Sequence, residues 1–134
     1  MNEMFNVYLA NRNNTARFYL GTEGKKSLLF LGLNPSTANK EKSDKTITKV
    51  SNFANNFVYD SFVMINFFPI RSTDPNMLPT KLNSKLHYEN IQHIQKLLQN
   101  YENPDLVACW GTKIREYLTF CCQEIIMSIL PQIG

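Results

Sequence analysis

Three apolar runs in this chain end on residues able to do chemistry. The run "SLLFLGL", residues 27–33, contains Gly32 and leads directly into Asn34, Pro35, Ser36 and Thr37. The run "FVMINF", residues 62–67, ends on Asn66 and Phe67, with Phe68, Arg71, Thr73 and Asp74 just beyond. The run "DLVACW", residues 105–110, ends on Trp110 and is followed by Gly111 and Thr112. A carboxamide carries both donors and an acceptor, so Asn34 and Asn66 could read an amide-like edge such as that of a nucleobase. Phe67 or Phe68 offers a stacking face, and base stacking on an aromatic contributes about 1–3 kcal/mol in single-strand binders. Ser36, Thr37 and the amides of the following turn could hold an anion. Arg71 suits a phosphate or carboxylate. Gly32 lets backbone or ligand approach closely, and Pro35 stiffens the turn and biases Asn34 to an extended backbone.

Each of these residues also has a purely structural reading. Asn-Pro-Ser is a common turn composition, and Asn34 can simply cap its own loop. Asn66 ends a buried run, where an amide must find partners, and there the functional reading is the stronger. Phe67, Phe68 and Trp110 are residue types found more often in cores than as stacking platforms. Asp74 can cap the "TDPNMLP" turn. His87 and His93 read as helix-face residues, and Cys121 and Cys122 as apolar packing.

The elements that must hold these tips follow from periodicity. Short continuous apolar runs are the mark of strands buried on both faces of a parallel sheet. Ile47, Val50, Ala54, Phe57 and Val58 recur at helical spacing behind a cap at Ser43 or Asp44. His87, Ile91, Ile94 and Leu98 do the same over residues 84–100, opened by Asn83 or Ser84. A last helix follows Gly111-Thr112, with a stripe of Ile114, Leu118, Cys121, Cys122, Ile125 and Ile129. Strand, helix, strand, helix, strand, helix with right-handed crossovers predicts one α/β domain over residues 1–134. Its architecture is a three-layer α/β/α sandwich around a short, mostly parallel sheet. "ARFYL-GTEG-KKSLLF" suggests a hairpin-like entry turning at Gly21 to Gly24. An alternating scheme expects a further strand after the last helix, which the sequence does not supply.

Composition narrows the class. Hydrophobic residues make up 43% and charged residues 19%, which suits a packed core and not a disordered chain. A net charge of +3 permits a phosphate-bearing partner without demanding one. Cys109, Cys121 and Cys122 form no CxxC spacing, and His87 and His93 are the only histidines, so neither a zinc site nor another cofactor is expected. Reduced thiols, the lack of an apolar leader and the lack of a membrane-length run point to a cytoplasmic protein. The apolar stripe of the last helix could recruit a second copy, giving a homodimer.

Taken together, "LLFLGLNPSTAN", "DKTI", "VMINFFPIRSTDP" and "ACWGT" resemble a bacterial and phage family known as domain of unknown function 1643, from about Arg17 to Leu130. "GLNPS" is also similar to the first motif of the uracil-DNA glycosylase superfamily, "VMINFF" to its strand ending on a base-reading asparagine, and "DLVACWGTKIREY" to its strand ending in Trp-Gly. This more distant resemblance implies a glycosylase-like sandwich, in which Asn34 would orient the attacking water and Asn66 would read the base. Gly32, Pro35, Ser36, Thr37, Phe67, Phe68, Arg71, Asp74, Trp110 and Gly111 complete the expected pocket. The first motif carries no carboxylate, and the superfamily's late His-Pro-Ser loop has no counterpart. The expectation is therefore a protein that binds a nucleobase, nucleotide or DNA. The alternatives are an N-glycosidic-bond hydrolase using Asn34 and a non-catalytic interaction protein that keeps the fold alone.

Overall fold

A computed structural model of the chain describes residues 4–73 and 84–109. The described elements are β1 (Val7–Ala10), β2 (Arg17–Gly21), β3 (Ser27–Gly32), α1 (Lys45–Asn56), β4 (Ser61–Asn66), α2 (Ser84–Leu98) and β5 (Asp105–Ala108). They form an α/β fold around one five-stranded sheet of order β1-β2-β4-β3-β5.

The three apolar runs hold the strands Ser27–Gly32, Ser61–Asn66 and Asp105–Ala108, as their composition predicts. They make the parallel part of the sheet, with β3 between β4 and β5. β1, β2 and β4 pair antiparallel, so the sheet is mixed and not mostly parallel. The expected last helix, with Cys121 and Cys122, lies outside the described residues.

Alternation along the central strands divides the core. Leu28, Phe30, Phe62 and Met64 point to one face and pack with Ile47, Val50 and Ala54 of α1. Leu29, Leu31, Val63 and Ile65 point to the other and pack with Ile91, Ile94, Leu97 and Leu98 of α2. The helices therefore lie on opposite faces. Crossovers of one hand require this, because β3→β4 and β4→β5 move in opposite directions across the sheet.

Local chemistry sets the bounds of α1. Of the two cap candidates, Asp44 is the one used. Its carboxylate accepts from the N–H of Ile47 at 2.9 Å and from that of Ala38 at 2.9 Å, fastening the incoming loop to the helix start. At the other end the N–H of Tyr59 returns to the carbonyl of Ala54 at 3.2 Å. Val58 takes the left-handed conformation that this closure needs, φ 63°, where glycine is usual.

The expected hairpin between β2 and β3 does not form. β4 is inserted between them, antiparallel to β2 and parallel to β3. Residues 22–26 arch over the start of β4. There the Asp60 carboxylate accepts from the main-chain N–H groups of Lys25 and Lys26, both at 2.9 Å. Gly21 permits the pairing, since a Cβ there would stand 2.1 Å from the carbonyl oxygen of Phe62. The hairpin that exists joins β1 to β2, and β1 was not foreseen. Where β1 pairs with β2 the register slips between Leu9 and Ala10, leaving Phe18 as an extra residue on β2.

Candidate functional site

In an open α/β sheet the crevice for ligands lies beyond the carboxyl ends of the strands, where the order reverses. Here that point is between β3 and β5, with β4 on the far side of β3. Gly32 is opposite Asn66 in the parallel register, and the N–H of Cys109 bonds the carbonyl of Leu31 at 2.8 Å. A Cβ on Gly32 would stand 2.5 Å from Met64 Cε, 2.9 Å from Asn66 Nδ2 and 3.7 Å from Cys109 Sγ. The Asn66 carboxamide thus lies against the main chain of Gly32. Burial pushes the Cys109 thiol up to about 11, so at neutral pH it is a weak donor and not a nucleophile.

Asn66 is 1% exposed, and its partner was missed by the sequence reading. Arg17 Nη2 donates to Asn66 Oδ1 at 3.4 Å, and Arg17 Nη1 donates to the carbonyl of Ala38 at 3.2 Å. The slip in β2 makes this possible. Phe18 lies against His93 of α2 with ring centroids 4.5 Å apart, and Tyr19 borders the same core, while Arg17 turns to the α1 face. Arg17 is itself 1% exposed. Desolvation, followed by repulsion from Arg71, brings its guanidinium down to about 10, so it is still charged at neutral pH. Among the described residues, Arg17 Nε and Asn66 Nδ2 are both buried donors with no hydrogen-bond partner. The signal for Arg17 was a single cation at the head of the apolar segment "RFYL".

The loops after β3 and β4 remain zipped together. Phe67 N–H bonds the carbonyl of Gly32 at 2.9 Å, Phe68 N–H that of Leu33 at 2.8 Å, and Ser72 N–H that of Pro35 at 2.9 Å. On its other side this segment pairs with the hairpin, through an Ala16–Ile70 bridge. Asn34 belongs to the zipper: its Nδ2 donates to the carbonyls of Pro35 at 2.9 Å and Ser72 at 3.0 Å. That leaves Oδ1 as the outward atom of a half-buried side chain.

Arg71 is the hub of this region. Nη1 donates to the carbonyls of Ser36 and Ala38, both at 2.8 Å, and Nη2 to Tyr8 Oη at 2.8 Å and Asn14 Oδ1 at 3.1 Å. Nε donates to the carbonyl of Asn14 at 3.1 Å. Arg71 thus ties the hairpin to residues 36–38, and among the described residues its acceptors are all neutral oxygens. Beside it opens a cleft of about 360 Å³ bordered by Asn14, Ser36, Thr37, Arg71, Ser72 and Thr73.

Phe67 and Phe68 are 0% and 4% exposed, within the core on the α2 face. As they stand they pack and present no free ring at the tips: Phe67 continues the alternation of β4 onto the α2 face, and Phe68 joins the same cluster out of that alternation. Behind them Asn90 Nδ2 donates to the carbonyls of Asn66 at 2.9 Å and Phe67 at 3.3 Å, a second support that the sequence reading missed. His93 lies 3.9 Å from Glu89 one turn away, and His87 is on the buried face of α2. Asp74, Trp110 and Gly111 lie outside the described residues. Among the described residues no group of three or more His, Cys, Asp or Glu side chains could hold a metal, and no helix is long and apolar enough to cross a membrane.

A family profile described as "Protein of unknown function (DUF1643)" matches residues 17–132. The chain belongs to that family. No curated protein and no solved structure matches the chain. The DUF1643 match begins at Arg17 and includes Asn34, Asn66 and Arg71, whereas Tyr8 and Asn14, which also hold Arg71, precede it.

Proposed function

We propose that this DUF1643 protein binds a nucleobase or nucleic acid at the carboxyl ends of β3, β4 and β5, in a glycosylase-like sandwich. One observation carries the reading: the Asn66 carboxamide. Arg17 holds Oδ1, so Nδ2 is the atom left to donate, at the tip of a buried strand and beside a glycine. A fixed carboxamide donor matches the carbonyl edge of a base. The three segments that resemble glycosylase motifs end β3, β4 and β5, which are neighbours in the sheet. Titration of the protein with uracil, hypoxanthine and single-stranded oligonucleotides tests the proposal. A raised thermal midpoint that Asn66→Ala abolishes supports it, and no shift with any of these ligands rejects it in favour of a scaffold.

A second reading, hydrolysis of an N-glycosidic bond, has its own support in Asn34. With Nδ2 held by two carbonyls, Oδ1 is the atom left to accept a proton from water. Strand-cleavage gels on uracil-, hypoxanthine- and mismatch-containing duplexes decide it. Cleavage lost in Asn34→Ala supports hydrolysis, and intact DNA with wild-type protein leaves binding alone.

A further inference from the structure

We propose that the cleft between Arg71 and the hydroxyls of Thr37 and Thr73 is a phosphate site, holding the phosphate of the ligand whose base reaches Asn66. This deepens the nucleic-acid reading and rests on it for what carries the phosphate.

The first argument is charge. Arg17 and Arg71 both donate to the carbonyl of Ala38, which brings two guanidinium groups to one oxygen. Among the described residues neither is ion-paired. Asp44 is the carboxylate that acts on Arg17, and its oxygens are engaged by the N–H groups of Ala38 and Ile47. Among the described residues, two cations against one carboxylate leave a net positive charge behind the cleft. In a partly desolvated setting that charge attracts an anion more strongly than it would in water.

The second argument is hydrogen-bonding capacity. Ser36, Thr37 and Thr73 border the cleft, and among the described residues their hydroxyls make no hydrogen bond. Behind this rim, Arg17 Nε is a buried donor without a partner among the described residues. Unused donors in front of uncompensated positive charge call for a ligand that only accepts, and a phosphate is such a ligand. Arg71 supplies the charge while its own N–H groups hold the loops in place, so the cleft is already formed before a ligand arrives.

The test compares thymidine, thymidine monophosphate, a short oligothymidylate and inorganic phosphate on the full chain by calorimetry. Thymidine monophosphate is expected to bind roughly ten-fold more tightly than thymidine, the scale of one hydrogen bond to a charged group. The pair Thr37→Val and Thr73→Val keeps two exposed, β-branched side chains and removes both hydroxyls. It is expected to erase that advantage with an unchanged thermal midpoint. Thymidine binding to which phosphate adds nothing, or an advantage that persists in the double variant, overturns this inference and leaves the nucleobase reading standing. Inorganic phosphate binding without any response to thymidine does the reverse. An oligothymidylate that binds more tightly than the monophosphate, with a steep salt dependence, identifies a nucleic-acid backbone as the source. Equal affinity identifies a mononucleotide.

Discussion

Arg17 and Asn66, one on β2 and one on β4, meet at 3.4 Å on the α1 face, and the contact fixes which end of the carboxamide donates. Asn66→Ala removes the acceptor and leaves Arg17 with Ala38 alone. A loss of about 1–3 kcal/mol is expected, the cost of stranding a buried polar group, and urea unfolding would measure it. Asn66→Asp gives Arg17 a carboxylate but no donor. It should retain more stability than Asn66→Ala while losing nucleobase binding. Equal stability of Asn66→Ala and wild type would show that the contact contributes nothing.

Arg71→Gln removes the hub that joins the hairpin to residues 36–38. The expected loss is about 2–4 kcal/mol, large for a half-buried residue because several charge-assisted bonds go together. Hydrogen exchange should quicken first at the N–H groups of Arg71 and Ser72, which the same zipper protects. Uniform quickening across the sheet would contradict a local clamp.

Val58→Gly should stabilise the protein. A β-branched residue in the left-handed region costs about 1–2 kcal/mol, and glycine's extra unfolded-state entropy takes back about half. Val58 is 80% exposed, so little burial is lost. A gain near 1 kcal/mol in chemical denaturation is expected, and a lower midpoint would show that the valine makes contacts elsewhere.

Cys109 gives a pH signature. Its folded value of about 11 exceeds the ordinary thiol value of 9.0. A raised acid favours the folded chain fully below the unfolded value, and that advantage is lost as pH rises through the folded one. Stability should fall between about pH 9 and pH 11, and fall less in Cys109→Ala. Alkylation of Cys109, followed by peptide mapping, should be slow at neutral pH and accelerate in the same window. Fast alkylation at pH 7 would refute the buried, protonated thiol.

Much of the parallel core was legible because its signals are local. Continuous apolar runs gave β3, β4 and β5, and Asp44 with Ile47, Val50 and Ala54 gave α1, whereas Phe57 and Val58, expected on the same stripe, lie past the helix end and are exposed. The sheet order was not legible, since β2 could not be assigned to β4 over β3 from turn residues alone. Gly21, read as a turn former, is instead a site of close strand approach. At the candidate site, Asn66 stood out as a carboxamide ending an apolar strand. Arg17 did not, because only a one-residue slip opposite Leu9 and Ala10 aims it at Asn66. Phe67 and Phe68 were weighed as a stacking face against the commoner place of such residues in a core, and both lie in the core on the α2 face.

The insertion of β4 between β2 and β3 has a consequence for how the chain folds. The segments on either side of residues 22–26 do not zip to one another as they emerge, because the strand that joins them, residues 61–66, does not yet exist. Nucleation must therefore close a loop of some forty residues before the sheet gains its middle, a cost in rate more than in stability. During synthesis the N-terminal hairpin and β3 wait as separate, sticky pieces until Asn66 has left the ribosome, and it is in that interval that a chaperone would find them.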